Sequence, residues 1–353
     1  MVSGDRIGQE RKATKSRFGE IRVGMVMRDG PAFEALGEPS HVIVDCDPGI
    51  DDALALLMLA QAHFAGMLII DSVFTVGGNV AVEKTASNAA LVLERAGLPN
   101  LKVIGGAGTP LAGTRVIVNG KSFHGPDGLG GLASDRRNAV MISKDPGRDL
   151  ATRIMESPRQ LLLLCTGPLT NLALALQSNP LITEMLSRVV VMGGALGNPA
   201  GNITPVAEFN FYLDPLAASI VIASGLPIEL VALDTTEAVP FDAHDLDGLS
   251  GFAQRLLKES LRLHHEALGG HSCYVHDAVA AAVLLEPTIA KYERVKMSIT
   301  TSGESAGHLA RNDEALEDGP RVQVVSQIDG TSAKALFHSL LASEGVVGSS
   351  SAR

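Results

Sequence analysis

Residues 41–53 read His41-Val42-Ile43-Val44-Asp45-Cys46-Asp47-Pro48-Gly49-Ile50-Asp51-Asp52-Ala53, and this stretch decides the fold. Its first six residues are a short, largely β-branched run suited to a strand buried on both faces. Pro48-Gly49 marks a tight turn, and residues 52–64 have the continuous apolar content of a buried helix. The turn also concentrates charge: Asp45, Asp47, Asp51 and Asp52 place four carboxylates within eight residues. One or two acids there would be ordinary helix caps complementing the dipole. Four repel one another unless a hard cation lies between them. The Pro-Gly bend aims Asp47 and Asp52 at a common point. An EF-hand is excluded, because Asp, Gly and Glu do not fall at its loop positions.

Working outward, strand-like and helix-like segments alternate. Strands are expected at 67–75, 102–104, 160–166, 188–192 and 227–233, and helices at 82–96, 168–177, 215–224 and within 242–268. Gly97 stops the second helix and Pro168 starts the third. Such alternation with apolar strands predicts an α/β domain: a mostly parallel central sheet with helices on both faces, of Rossmann-like type. Ligands then bind beyond the carboxyl ends of the strands. Residues 53–70 are nearly long and apolar enough to imitate a membrane span. They contain Gln61, His63 and Gly66 and lack Lys or Arg anchors, so a buried helix leading into a buried strand is expected instead.

Hydrophobic residues make up 46% of the 353-residue chain and charged residues 19%, enough apolar content for one large core. The net charge of −10 argues against a nucleic-acid or anionic-membrane surface. Ten Phe, three Tyr and no Trp leave little for base-stacking platforms of the single-strand-binding kind. Cys46, Cys165 and Cys273 form a sparse, odd set that fits a reducing, cytoplasmic setting without a disulfide framework. Residues 1–40 differ in composition, with seven basic and two acidic residues between Arg6 and Arg28. No apolar h-region follows them, so a secretory signal is not expected; a transit peptide stays open beside a plain extension. A single domain is expected over 41–344 and a loose tail over 345–353. The Gly-rich segment 107–147 reads as a functional loop of the lid kind and carries His124.

Other strand ends also carry polar residues that a core does not need. Thr75-Val76-Gly77-Gly78-Asn79 and Thr166-Gly167-Pro168-Leu169-Thr170-Asn171 each lie between a strand and a helix. Val191-Met192-Gly193-Gly194 leads into a loop with Asn202, Glu208 and Asn210. Taken singly, each could be turn and capping chemistry alone. His276-Asp277 opens an apolar helix; beside an acidic cation site, the pair reads as a further metal-facing acid and a titrating neighbour.

Taken in order, DCDPGIDDA, TVGGN, TGPLTNLALAL, MGGALGNPAGNITPVAEFNFYLDP and VHDA resemble the nucleoside hydrolase family, the inosine-uridine preferring nucleoside N-ribohydrolases. The resemblance runs from about His41 to about Pro287 and implies that family's fold. It also implies Ca²⁺-dependent hydrolysis of the N-glycosidic bond of ribonucleosides to free base and ribose. By resemblance, Asp47, Asp52, the Thr166 carbonyl and Asp277 hold Ca²⁺. Asp51 and Asn79 bind the ribose diol, and Asn202, Glu208 and Asn210 surround the ribose and its 5′-hydroxyl. Asp45 stands behind them, His124 belongs to a loop over the substrate, and His276 faces the base. Asp47 is the expected base toward water and His276 the expected acid toward the leaving group. The resemblance further implies a homodimer or homotetramer acting on a small nucleoside.

The lack of Trp argues against a purine pocket of stacked indoles, which favours pyrimidine or broad specificity. Two other classes stay open. A Mg²⁺ phosphotransferase of the haloacid-dehalogenase type also begins with a strand and DxD, but wants DxDx[TV], whereas Pro48-Gly49 follows Asp47 here. A non-catalytic nucleoside- or ribose-binding protein would be expected to lose Asp47 or Asp52, and both are present.

Overall fold

The computed structural model describes residues 39–113, 123–133, 140–157, 161–197, 201–312 and 320–342. The expected tail and all but the last two residues of the expected 1–40 extension lie outside them. In chain order the elements are β1 (Ser40–Cys46), α1 (Ile50–Phe64), β2 (Leu68–Thr75), α2 (Val82–Arg95), β3 (Val103–Gly105), β4 (Met141–Ile142) and α3 (Pro146–Glu156). Then come β5 (Leu161–Cys165), α4 (Thr170–Ser178), β6 (Leu186–Met192), α5 (Phe209–Leu213), α6 (Pro215–Ile222), β7 (Ile228–Val231) and α7 (Leu233–Thr236). The chain continues through α8 (Gly251–Leu268), α9 (His276–Leu285), β8 (Ala290–Val295), β9 (Met297–Ile299), β10 (Leu309–Arg311), β11 (Val322–Ile328) and α10 (Gly330–Leu341).

Nine of these strands form one sheet in the order β4-β3-β2-β1-β5-β6-β7-β11-β8, parallel except for the edge strand β8. β9 and β10 make a separate antiparallel pair. The alternation within β1 shows why the sheet is covered twice. Val42, Val44 and Cys46 enter the core layer shared with α1, α8, α9 and α10, while Ile43 enters the layer shared with α3, α4 and α6. Burying each such aliphatic side chain contributes about 1.5–3 kcal/mol, and Val42 and Ile43 are wholly buried. α1 is apolar around most of its circumference because α8 and α9 pack on it as well as the sheet, α9 itself resting on β5 and β6. Among the described residues, no helix is long and apolar enough to cross a membrane.

The sheet order runs outward in one direction from β1 to β4 and in the other from β5 to β7. The chain therefore reverses between β1 and β5, and loops leaving the carboxyl ends of these neighbours diverge to opposite faces, opening a crevice. Asp47 follows β1 and Thr166 follows β5 at that point. One feature differs from the sequence reading. The strand expected at 227–233 ends at Val231, and Leu233–Thr236 instead turns into α7. The described part of the long 107–147 segment is held by hydrogen bonds to the site turn and within itself. Asp127 accepts the backbone N–H groups of Leu129, Gly131 and Ala133 at 2.9–3.0 Å, and Asn88 Nδ2 donates to both Pro48 O and Asp127 O.

Candidate active site

Four acids meet where β1 turns into α1 and where α9 begins: Asp47, Asp51, Asp52 and Asp277, all at least nine-tenths buried. Asp51 and Asp52 lie in the first turn of α1 and Asp277 in the first turn of α9, so the positive ends of two helices converge on them. Asp52 reaches back to accept the Gly49 N–H at 2.9 Å, capping α1, and accepts the Thr166 hydroxyl at 2.8 Å through its other oxygen. Asp47 accepts the Asn79 N–H at 2.7 Å, while Asn79 Nδ2 donates to Asp47 O at 3.1 Å and lies 3.4 Å from Asp52 Oδ2.

The glycines of the two flanking motifs follow from Asp47. A Cβ on Gly167 would lie 2.8 Å from Asp47 Oδ1, and one on Gly78 would lie 2.7 Å from Asp47 Cγ. Both turns come so close to the carboxylate that no larger residue fits without moving it.

Burial sets the electrostatics. Desolvation, reinforced by the neighbouring carboxylates, pushes Asp47 and Asp277 well above the usual carboxylate range and Asp52 up to about 6. Asp51 is raised for the same leading reason. Among the described residues, no Lys or Arg forms an ion pair with any of the four. Ligand oxygens of Asp51, Asp52 and Asp277 lie within 4.8 Å of one another, and Asp51 Oδ1 has no hydrogen-bond partner. Such a set of buried, mutually repelling oxygen donors, with an orphaned carboxylate oxygen, fits a hard cation. The three-acid cluster contains Asp51 where the sequence reading had Asp47; Asp47 stands beside it as an electrostatic neighbour of Asp52 and Asp277.

The residues expected on the ribose side follow β6. Glu208 caps α5, accepting the N–H groups of Asn210 at 2.7 Å, Phe211 at 3.1 Å and Gly194 at 2.9 Å. Asn210 Nδ2 donates to Thr166 O at 2.8 Å, tying that loop to the carbonyl expected to face the cation. Asn202 accepts the Phe209 N–H at 2.9 Å and is exposed, so it lies at the rim while Glu208 and Asn210 are buried. Asp45 lies behind Asp47, held by Asn171 Nδ2 at 2.8 Å and pushed up to about 7 by burial.

Two histidines complete the cluster. His124 Nδ1 accepts the Ile50 N–H at 3.1 Å and sits 3.6 Å from Asp51 Oδ1. His276 Nδ1 lies 2.7 Å from Thr236 Oγ1, and its ring lies nearly parallel to Tyr274 at 5.9 Å. Desolvation lowers both, His124 to about 4 and His276 to about 3, so both are neutral at neutral pH despite partial surface exposure. Phe123 packs on His264 at 4.7 Å, and His264 in turn meets Tyr274 edge-on, extending an aromatic wall from His276. Asn88, Asn171 and Thr236 carry no role in the sequence reading. Only Asn171, at a helix start just after a strand, had any positional signal.

An α/β sheet with an acidic, oxygen-only cluster at its switch point is the arrangement of an enzyme whose site can take a hard cation. A sequence profile of the inosine-uridine preferring nucleoside hydrolases matches residues 42–335, and the chain belongs to that family. Probable uridine nucleosidase 1 of Oryza sativa subsp. japonica is 32% identical over 274 residues, covering 76% of this chain and 83% of that protein. The pyrimidine-specific ribonucleoside hydrolase RihA of Salmonella agona is 34% identical over 271 residues, covering 74% and 85%. Among solved structures, a plant nucleoside hydrolase, PpNRh1, superposes with a TM-score of 0.77 at 28% identity, covering 86% of this chain and 99% of that one. A purine-preferring ribonucleoside hydrolase from Gardnerella vaginalis shares the fold, with a TM-score of 0.78 at 24% identity over 86% and 98% of the two chains. The fold therefore does not select the base.

Proposed function

We propose that this nucleoside hydrolase cleaves ribonucleosides with Ca²⁺, and that pyrimidine nucleosides are its preferred substrates. The observation that carries the reading is the buried cluster of Asp47, Asp51, Asp52 and Asp277 at the switch point, in a chain of this family. The cation would be held by Asp47, Asp52, Asp277 and the Thr166 carbonyl. When bound, it would supply countercharge to the acids, a fixed anchor for the ribose 2′- and 3′-hydroxyls and acidification of water.

The remaining steps belong to the protein. Asp51 and Asn79 hold the diol, and Asn202, Glu208 and Asn210 hold the 5′ side of the ribose. Asp47, fixed by the Asn79 N–H, takes the proton of the attacking water as general base. Cleavage of the C1′–N bond develops oxocarbenium-like positive charge on the sugar, and the surrounding carboxylates and amide oxygens are already oriented to stabilise it. His276 and the docked His124 line the substrate, His276 on the side of the departing base.

The pyrimidine preference is supported by the absence of Trp and by relatives named for uridine and pyrimidine hydrolysis. A homodimer or homotetramer in the cytoplasm completes the proposal, consistent with three free, buried cysteines. The phosphotransferase alternative falls with the family assignment. A non-catalytic binder would have no need of a carboxylate lodged between Gly78 and Gly167. A panel of uridine, cytidine, inosine, adenosine and guanosine, assayed for released ribose with Ca²⁺ present, tests the reading. Faster release from the pyrimidines supports it, and exclusive purine cleavage contradicts the preference.

A further inference from the structure

We infer that Asn171 is a positioning residue for the acid turn: its carboxamide clamps the carboxyl ends of β1, β2 and β3 and so sets where Asp47 and Asn79 stand relative to each other. The inference rests on the nucleoside-hydrolysis reading for its catalytic meaning, but the hydrogen-bond network stands apart from it. Asn171 lies in the first turn of α4 and is wholly buried. Its Nδ2 donates to Asp45 Oδ1, on β1, at 2.8 Å and to the carbonyl of Thr75, the last residue of β2, at 3.0 Å. Its Oδ1 accepts the N–H of Ala107, just past β3, at 2.8 Å. The backbone partners fix which end of the amide is which, because an N–H can only donate and a carbonyl can only accept. As α4 itself follows β5, one side chain joins four strands that are neighbours in the sheet.

Two paths lead from this clamp to the site. Asp45 stands two residues before Asp47, and its carbonyl accepts the Thr166 N–H at 2.9 Å. On the other path, the carbonyl of Ala107 accepts the Gly77 N–H at 2.8 Å, and two residues further on the Asn79 N–H donates to Asp47 Oδ2 at 2.7 Å. Gly106 shows how closely the amide is fitted. A Cβ there would lie 2.4 Å from Asn171 Oδ1, 2.5 Å from its Nδ2 and 2.6 Å from Thr75 O. Removing the amide takes a partner from the buried Ala107 N–H, a loss relieved only if the strand ends move. Movement there reaches Gly77, Asn79 and Asp47 in turn, although Asn171 touches none of the three.

The experiment compares the full chain with Asn171→Ala and with Gly106→Ala, which keeps every hydrogen-bonding group but pushes on the amide. Hydrogen–deuterium exchange resolved to single amides is followed without nucleoside, beside steady-state kinetics on uridine with Ca²⁺ in excess. In both variants the Gly77 and Asn79 amides should exchange at least about tenfold faster, while the buried amides of β6 and β7 keep their wild-type rates. Uridine turnover by the folded protein should fall by roughly 10–100-fold, with a smaller change in KM. A residue that only holds the fold together would instead speed exchange throughout the sheet and leave kcat of the folded fraction unchanged, and either result in both variants would overturn the inference. If Asn171→Ala failed to fold, Gly106→Ala would decide by the same two readouts. If wild type cleaved no ribonucleoside yet the Gly77 and Asn79 amides were selectively loosened, the functional reading would fail while the clamp survived.

Discussion

The hydroxyl of Thr166 donates to Asp52 Oδ1 at 2.8 Å, joining residues 114 positions apart in the chain across the gap between β1 and β5. Asn210 reaches the carbonyl of the same threonine, so one residue joins the acid turn to the segment after β6 that carries Glu208 and Asn210. The consequences of this arrangement can be tested one residue at a time.

Asp47→Ala should leave a folded protein whose turnover is lowered by at least ~10³-fold, because the proposed general base and a proposed cation ligand are lost together. Turnover with Ca²⁺ in excess, beside a circular-dichroism spectrum, checks this. Near-normal turnover would remove Asp47 from the mechanism.

Gly167→Ala tests the lodging of that carboxylate. The added methyl would approach Asp47 Oδ1 to 2.8 Å, so either the turn or the carboxylate must shift. Because misplacements of about 1 Å can cost about 10²-fold, turnover should drop by that order. Wild-type kinetics in this variant would mean that the close packing has no catalytic weight.

Prolonged chelation should abolish activity, and Ca²⁺ should restore it better than Zn²⁺, since every proposed ligand is an oxygen. Elemental analysis must accompany the assay. Metal-free protein that still cleaved nucleosides would contradict the cation's role.

The cation should also be linked to protons. Asp52 is raised to about 6 by burial, so in the metal-free fold it prefers its proton, and its stabilising contribution is lost as pH rises from about 4 through about 6. His124 and His276, both lowered, act in the opposite sense on stability, which makes a single melting curve ambiguous. The difference between melting temperatures with and without Ca²⁺ separates the effects, because ligand carboxylates must lose their protons before binding. That difference should grow from pH 5 to pH 7.5; a difference independent of pH would place the cation away from Asp52.

His276→Ala should slow uridine or inosine cleavage by about 10²–10⁴-fold while a nitrophenyl riboside reacts nearly as in wild type. Asp277→Ala, one residue away, should impair both substrates. Equal losses for both substrates in His276→Ala would instead assign the histidine to packing at the start of α9.

What could be read from the sequence, and what could not, follows from the range of the interactions. Asp47, Asp51 and Asp52 stood out because four acids in one turn have no local structural purpose, and the apolar runs on either side placed them at a strand end. Asp277 stood out because it opens an otherwise apolar helix. Thr236 could not be found this way: Leu233-Asp234-Thr235-Thr236 reads as an ordinary strand end, and its partner lies 40 residues further along. The same holds for Asn88, whose amide pins Pro48 to Asp127. The reversal of β8 at the sheet edge was hidden too, because an antiparallel edge strand with alternating exposed residues lacks the apolar run of its parallel neighbours.

The central claim is hydrolysis of a ribonucleoside by the acid cluster around Asp47. The most direct test incubates the purified chain and its Asp47→Ala variant with uridine and Ca²⁺ in phosphate-free buffer, following uracil and free ribose by chromatography. The account predicts equimolar uracil and ribose from wild type and almost none from the variant. Intact uridine after prolonged incubation with wild type, or cleavage of equal rate in both proteins, would contradict it.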